Sequence, residues 1–196
     1  MKVAFGLKAH SGWAALVVLG RRDGAIEVSD RRRIDLVEEE WAKQPYHAAE
    51  GLKPGAAREM VGRGITAANR MALRELRAAV RRERERDNRV EACGVLVGNP
   101  MPAWSVEEIL AVHFRMHKAE GVLFRDALVK AAQSCGLPLV AIDEKSLKKQ
   151  AEAALGPAGK ALIGRIESLG RSVGPPWGKD QKDAALSALI ALQGRS

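Results

Sequence analysis

The 196-residue sequence is poor in cysteine and in aromatic residues, and it has no long apolar run. Its two cysteines, Cys93 and Cys135, are too few for a disulfide framework and lack the CxxC spacing of a zinc site, so we expect buried free thiols. Aromatic residues make up only 4% of the chain, which argues against a surface on which bases stack. Lys8 and His10 interrupt the apolar N-terminal stretch. We therefore expect no signal peptide, no membrane span and a cytoplasmic location.

The remaining composition is that of a folded domain. Apolar residues make up 46% of the chain, which is enough to build a core, and the length fits a single domain over residues 1–196. The formal net charge is +8. A positive charge of this size favours polyanionic partners, although it also serves solubility.

Short apolar runs alternate along the chain with longer stretches in which apolar residues recur every three or four positions. The runs predict strands and the longer stretches predict helices. Their order indicates an α/β fold, in which an antiparallel meander and then alternating strands and helices form one mixed sheet with helices on both faces. The predicted strands cover residues 2–7, 13–19, 25–29, 33–37, 90–97 and 137–142. The predicted helices cover residues 55–87, 105–135, 145–155, 157–169 and 180–192, with a polar connection at 41–53 and a loop at 171–178.

Three parts of the sequence follow the pattern of a known nuclease family. In the first, an apolar run leads into a glycine-containing turn, and in the third, two aspartates three positions apart precede small apolar residues. The parts are Val3–Lys8 with the turn Ser11–Gly12, Glu120–Leu128 with the strand and helix that follow it (residues 136–149), and residues 179–190. Together they resemble the ribonuclease H-like superfamily, and within it the crossover-junction endodeoxyribonucleases of the RuvC type.

The resemblance implies a metal-dependent nuclease site that is only partly present. Such nucleases hold two divalent metals, about 3.5–4 Å apart, between carboxylates of the first strand, a later strand and the last helix. Asp180 and Asp183 match the last-helix pair and fall on one helical face. The first-strand position is Lys8, which cannot ligate a metal while protonated, and the second falls near Val97–Gly98, where there is no acid. The resemblance thus implies a degenerate site without a cofactor, or with Mg²⁺ or Mn²⁺ if nuclease activity persists.

The remaining acids allow two arrangements. In the one that we favour, Lys8 forms a salt bridge to Asp183 in place of the missing metal, which keeps the fold closed and removes nuclease chemistry. In the other, Asp143 joins Asp180 and Asp183 in a rebuilt metal or acid–base centre. Against the second arrangement, Asp143 is well placed to cap the next helix, beside a solvated Glu144.

The turn after the first strand supplies a candidate pocket. Lys8, His10 and Ser11 project from this turn, at the edge where sheets of this kind place their sites. We expect these residues, with Asp183, at the rim of any pocket. A turn stabilised by Ser11 and Gly12 would account for the same residues without a pocket.

A weaker metal candidate lies on the second long helix. His113, His117 and Glu120 are four and three positions apart, so they share one helical stripe. Two histidines at this spacing can hold a metal together with a carboxylate. Because the stripe borders the apolar face, we interpret the histidines as partly buried, hydrogen-bonded side chains without a metal. The unpredicted segment 44–47 contains His47, and it is either a binding loop or packing over the sheet edge.

Five arginines recur at steps of four and three residues along the first long helix. Such a guanidinium stripe could follow the phosphates of DNA or RNA. Acidic residues are interleaved with it, so a solvated, salt-bridged surface is the interpretation that we slightly favour. The arginines are Arg70, Arg74, Arg77, Arg81 and Arg84.

Three functions are therefore open. The favoured one is a degenerate, non-cleaving domain that binds nucleic acid or another protein. The second is a divalent-metal-dependent nuclease with rearranged ligands, and the third is a small-molecule-binding domain on the same fold. A homodimer would be compatible with the resemblance. Magnesium- or manganese-dependent cleavage of branched DNA would select the nuclease.

Overall fold

Five strands form one mixed sheet within residues 1–194, the part of the chain that the computed structural model describes. The strands are β1 (Lys2–His10), β2 (Trp13–Arg22), β3 (Ala25–Asp35), β4 (Arg89–Val97) and β5 (Leu139–Asp143). Their order across the sheet is β3-β2-β1-β4-β5. The first three strands pair antiparallel, whereas β4 runs parallel to β1 and β5 runs parallel to β4. This is the meander followed by parallel strands that the sequence predicts.

One strand replaces two predicted extended segments. Residues 25–29 and 33–37 were expected to be separate, but β3 runs without a break through the charged residues between them. Asp30 is 8% exposed there, and its carboxylate accepts hydrogen bonds from Arg32 and from Arg82 of the neighbouring helix. Charge pairing therefore allows a polar run to continue the strand, and the prediction of a break was wrong.

Helices cover both faces of the sheet. They are α1 (Pro45–Ala48), α2 (Pro54–Glu85), α3 (Val106–Leu110), α4 (His113–Ser134), α5 (Leu147–Leu155), α6 (Gly159–Ser168), α7 (Gly170–Val173) and α8 (Lys179–Gln193). Short 3₁₀ turns precede α1, α5 and α6, at residues 40–43, 144–146 and 156–158. Successive side chains of β1 point to opposite faces, so Phe5 and Leu7 pack against α2 and α4, whereas α5, α6 and α8 cover the other face.

Two glycines bring α8 unusually close to the sheet. A Cβ atom on Gly6 of β1 would lie 1.8 Å from the carbonyl oxygen of Ala184, and one on Gly94 of β4 would lie 2.3 Å from that of Ser187. Residues 184–192 of α8 are all buried, as expected for a helix enclosed on every side. This close packing fixes the N-terminal turns of α8, with Asp180 and Asp183, at the edge where β1 and β4 end.

The second long helix is divided. The sequence predicts one helix over residues 105–135, whereas the structure has α3 and α4 with a break at Ala111 and Val112. Ser105 caps α3 as expected, since its hydroxyl accepts a hydrogen bond from the Glu108 amide while the Glu108 carboxylate accepts one from the Ser105 amide. Val112, expected on the buried stripe, is 41% exposed because it lies in this break.

The remaining predictions differ from the structure mainly at element ends. The expected loop at 171–178 begins with the end of α7, and the polar connection at 41–53 contains α1. Cys93 is fully buried and Cys135 is partly buried, and both are free thiols. Among the described residues, no helix has the length and apolar character needed to cross a membrane.

Candidate functional site

Lys8 lies at the centre of a group of carboxylates where β1, β4 and β5 end. Its side chain is on the same face of β1 as Gly6, beneath the first turns of α8, and the residue is 5% exposed. Lys8 Nζ lies 2.7 Å from Asp183 Oδ2, 3.1 Å from Glu144 Oε1 and 3.2 Å from Asp180 Oδ1. The contact between Lys8 and Asp183 that the sequence predicts is therefore present, and two further carboxylates share the same ammonium. We call these four residues the Lys8 cluster.

Further cations surround the Lys8 cluster. Lys179 Nζ lies 2.5 Å from Asp183 Oδ2, and Arg125 Nη2 lies 3.2 Å from Glu144 Oε2. Three cationic side chains, Lys8 among them, thus face three carboxylates. This balance explains how an acidic group can be half-buried without a bound cation of its own.

Hydrogen bonds in the Lys8 cluster stabilise the charged forms. Burial lowers the pKa of Lys8, but hydrogen bonds to Asp183 and Glu144 outweigh burial and raise that pKa well above its ordinary value. Burial raises the pKa of Asp183, whereas hydrogen bonds from Lys179 and Lys8 together hold it below its ordinary value. The ammonium and the carboxylate both remain charged at neutral pH.

The Lys8 cluster does not fit a divalent metal ion. The carboxylate oxygens of Glu144, Asp180 and Asp183 converge on Lys8 Nζ, which occupies the point where a shared cation would lie. An ammonium is a donor and cannot ligate a metal, and its charge repels one. The residues present are therefore arranged for a protein cation in place of a metal.

The second position without an acid also faces a cation. Gly98 follows the end of β4, and a Cβ atom on it would lie 2.5 Å from Nη1 of Arg125. The guanidinium of Arg125 thus fills the space that a side chain at position 98 would need. Lys8 and Arg125 place positive charge at both positions where the family resemblance implies carboxylates.

Asp143 and Glu144 have different roles from those weighed in the sequence. The Asp143 carboxylate accepts hydrogen bonds from the Lys145 amide and the Ser146 hydroxyl, so it caps the following turn. Glu144, expected to be solvated, instead contacts Lys8 and Arg125. The carboxylate that β5 contributes is therefore that of Glu144, because Asp143 is used by the turn.

His10 and Ser11 are separated by the turn after β1. The ring of His10 stacks on Trp13, with centroids 4.3 Å apart. His10 Nε2 lies 3.1 Å from Asp180 Oδ2, but the angle is unfavourable and this buried nitrogen has no hydrogen-bond partner within residues 1–194. Ser11 is exposed and borders a different recess, beside Lys43 and His47. The expected pocket thus retains Lys8, His10 and Asp183, whereas Ser11 is turned away because it lies in the turn.

A cleft rich in basic residues opens beside the Lys8 cluster. Its volume is about 680 Å³, and it shares Glu144 and Lys179 with the cluster. The positively charged side chains that line it are those of Lys118, Arg125, Lys145 and Lys179, while Glu144 is its acidic side chain. We call this surface the basic cleft. Its excess of positive charge suits an anionic ligand.

The predicted arginine stripe lies at the other end of the sheet. All five arginines are exposed on α2, and Arg74 pairs with Glu38 at 3.0 Å while Arg81 lies 3.8 Å from Glu85. The Met1 amino group donates a hydrogen bond to the carbonyl oxygen of Asp87, so α2 ends beside the start of β1. The stripe therefore runs away from the basic cleft, and it is partly neutralised by acids.

The three polar residues predicted on the second long helix do not act together as expected. His113 and His117 are exposed, not partly buried, because they lie in the first turns of α4 after the break. Glu120 is 2% exposed and hydrogen-bonds to His47 of α1. The structure therefore groups His47 with His113 and His117, and places Glu120 behind His47.

The residues that the sequence prediction missed were Arg125, Glu144, Lys179 and His47. Each lies beside a residue of interest only after folding, since His47 and Glu120 are 73 positions apart. Position offered a signal for two of them. Glu144 directly follows the predicted strand acid Asp143, and Lys179 precedes the aspartate pair of the last helix.

Comparison with known proteins bears on the fold. No protein-family model matches the chain, and no curated protein matches it. Among solved structures, it is similar to Thermus thermophilus RuvC in complex with Holliday junction substrate, with 17% identity, a TM-score of 0.51 and coverage of 100% of this chain and 96% of that one. A second Thermus thermophilus RuvC structure has 20% identity, a TM-score of 0.48 and coverage of 98% and 95%. The strand order, the helix on the Gly6 face and the first similarity together show that this chain has the ribonuclease H-like fold in the form found in RuvC.

Proposed function

We propose that this protein is a RuvC-like domain that binds DNA without cleaving it. The position of Lys8 carries the proposal, because its ammonium lies within 3.2 Å of three carboxylates at the place where nucleases of this fold would need a metal. Arg125 beside Gly98 adds a second positive charge at the same edge. An edge held by protein cations lacks the metals that activate water and stabilise a leaving phosphate oxygen.

The basic cleft supports DNA as the partner. Its lysines and arginine lie beside the Lys8 cluster and are suited to phosphate oxygens, and the net charge of +8 favours approach to a polyanion. The similar RuvC structure contains a Holliday junction substrate. A four-way DNA junction is therefore the first ligand to test.

Fluorescence anisotropy with a labelled four-way junction tests the proposal. We expect binding that weakens as salt rises from about 50 to 200 mM, because each phosphate contact adds about 0.9 to the salt slope. A variant that combines Lys118→Ala and Lys145→Ala should bind about tenfold more weakly and should show a salt slope smaller by about 2. Junction DNA incubated with the protein and Mg²⁺ or Mn²⁺ should remain intact.

A matched variant separates the basic cleft from the arginine stripe. Arg77→Ala combined with Arg84→Ala removes the same number of charges from exposed positions on α2, and we expect binding within about twofold of wild type. Loss of binding in this variant alone would contradict the cleft. Metal-dependent cleavage would overturn the non-cleaving function in favour of a nuclease, and the absence of any DNA binding would overturn DNA as the partner.

A further inference from the structure

We infer that His47, His113 and His117 bind a single transition-metal ion of the Zn²⁺ type, with Glu120 holding His47 in position. This site is separate from the Lys8 cluster and does not depend on DNA binding. The three imidazoles converge, and one nitrogen from each ring lies within 4.8 Å of the other two. Imidazole is a preferred ligand of zinc and of neighbouring first-row metals.

Two short helices bring the three rings together. His113 and His117 lie one turn apart in α4, and their Nε2 atoms are 3.1 Å apart. Nitrogens bound to one tetrahedral zinc ion at about 2.0–2.1 Å would be separated by roughly 3.3 Å. The pair therefore already has nearly the spacing of two ligands on one ion. His47 of α1 provides the third ring, with its centroid 4.7 Å from that of His117 and 5.2 Å from that of His113.

Glu120 fixes the orientation of His47. Both Glu120 carboxylate oxygens lie 2.9 Å from His47 Nδ1, and one of them also accepts a hydrogen bond from the His47 backbone amide. A carboxylate that accepts the Nδ1 proton leaves the Nε2 lone pair of His47 free for a metal. Histidine ligands of zinc commonly have a carboxylate partner of this kind.

Burial of Glu120 favours this arrangement over a chance meeting of histidines. Glu120 is 2% exposed, and a buried carboxylate is costly unless it is paired. Its hydrogen bonds orient a partly buried ring toward two exposed rings at the surface. Three protein ligands would leave the fourth zinc position facing solvent, where water or an anionic ligand can bind. Since His117 also lines the basic cleft, a bound ion would add positive charge at its rim.

Titration of the full chain with Zn²⁺, after removal of metal by a chelator, tests this site. We expect one ion per chain by calorimetry, and a four-coordinate visible spectrum when Co²⁺ is used as the probe. His113→Gln combined with His117→Gln should abolish this binding, and both side chains are exposed, so the variant should fold normally by circular dichroism. Glu120→Gln should weaken binding by about 10- to 100-fold without removing it.

His10→Gln is the matched control, because His10 is the fourth histidine of the chain and belongs to the Lys8 cluster edge. It should bind Zn²⁺ as tightly as wild type. Binding that survives in the double histidine variant and is lost in His10→Gln would place the ion at the Lys8 cluster and overturn the site. The absence of Zn²⁺ and Co²⁺ binding to the wild-type chain would overturn it as well.

Discussion

At the scale of single residues, Lys8 determines what the acidic cluster can do. Its ammonium joins β1 to the helix α8 through Asp183 and to the end of β5 through Glu144. Removing one partner from a buried ion pair leaves the other charges without compensation, which costs more than the pair contributes. The lysine is therefore a structural substitute for a metal, and its loss should be felt as instability.

We expect Lys8→Met to lower the free energy of unfolding by about 2–4 kcal/mol at pH 7, because three carboxylates would lose their shared cation. Urea denaturation followed by circular dichroism measures the change. Lys179→Met is the control, since its side chain is 76% exposed and contacts the same Asp183, and it should cost less than about 1 kcal/mol. Equal losses in the two variants would show that Lys8 has no special structural role.

Single residues also show where sequence reasoning reached its limit. The Lys8–Asp183 contact could be predicted because the family pattern fixes both positions, 175 residues apart. Glu144 could not, because whether Asp143 or its neighbour turns inward depends on which of them caps the turn. His47 lies in a segment without periodicity, so its contact with Glu120 depends on the packing of α1 against α4.

At the scale of elements, the fit of α8 against the sheet positions the site. Alternation and periodicity predicted nearly all strands and helices, since buried faces leave a regular apolar pattern. They did not predict the break between α3 and α4, where Val112 continues the apolar period but is exposed. They also gave no sign that Gly6 and Gly94 are the surfaces on which α8 rests.

Gly6→Ala should disrupt this fit. Its Cβ atom would lie 1.8 Å from the carbonyl oxygen of Ala184, so α8 would have to move away from β1. We expect a loss of about 3 kcal/mol or more in the free energy of unfolding, and a weakened Lys8 cluster. Gly62→Ala on α2 is the control, because nothing lies within 4 Å of its Cβ position, and it should stabilise the protein by about 0.5–1 kcal/mol. A tolerated Gly6→Ala would contradict the close packing.

At the scale of the whole molecule, charge is distributed unevenly around a fold of modest size. Positive charge lines the basic cleft and α2, while carboxylates with lowered pKa values lie where they hold elements together. Burial raises the pKa of Asp30, but hydrogen bonds and the charge of Arg32 have the larger combined effect and lower it. Hydrogen bonds from Ser146 and the Lys145 amide lower the pKa of Asp143. Each of these acids binds a proton less readily in the folded chain than in the unfolded one.

Acid should therefore destabilise the protein. A lowered folded-state pKa contributes stability that is fully present above the unfolded value, about 3.9 for aspartate, and is lost as pH falls through the folded value. The raised pKa of Lys8 acts at the other extreme, where its contribution is lost only above about pH 10.4. Urea unfolding at pH 7, 5 and 3 should show similar stability at the first two values and a marked decrease at the third. Asp183→Asn should be less stable at pH 7 and should lose less on acidification, because one pKa unit corresponds to about 1.4 kcal/mol. An unchanged decrease in this variant would show that acid acts through other carboxyl groups and that Asp183 does not link the Lys8 cluster to global stability.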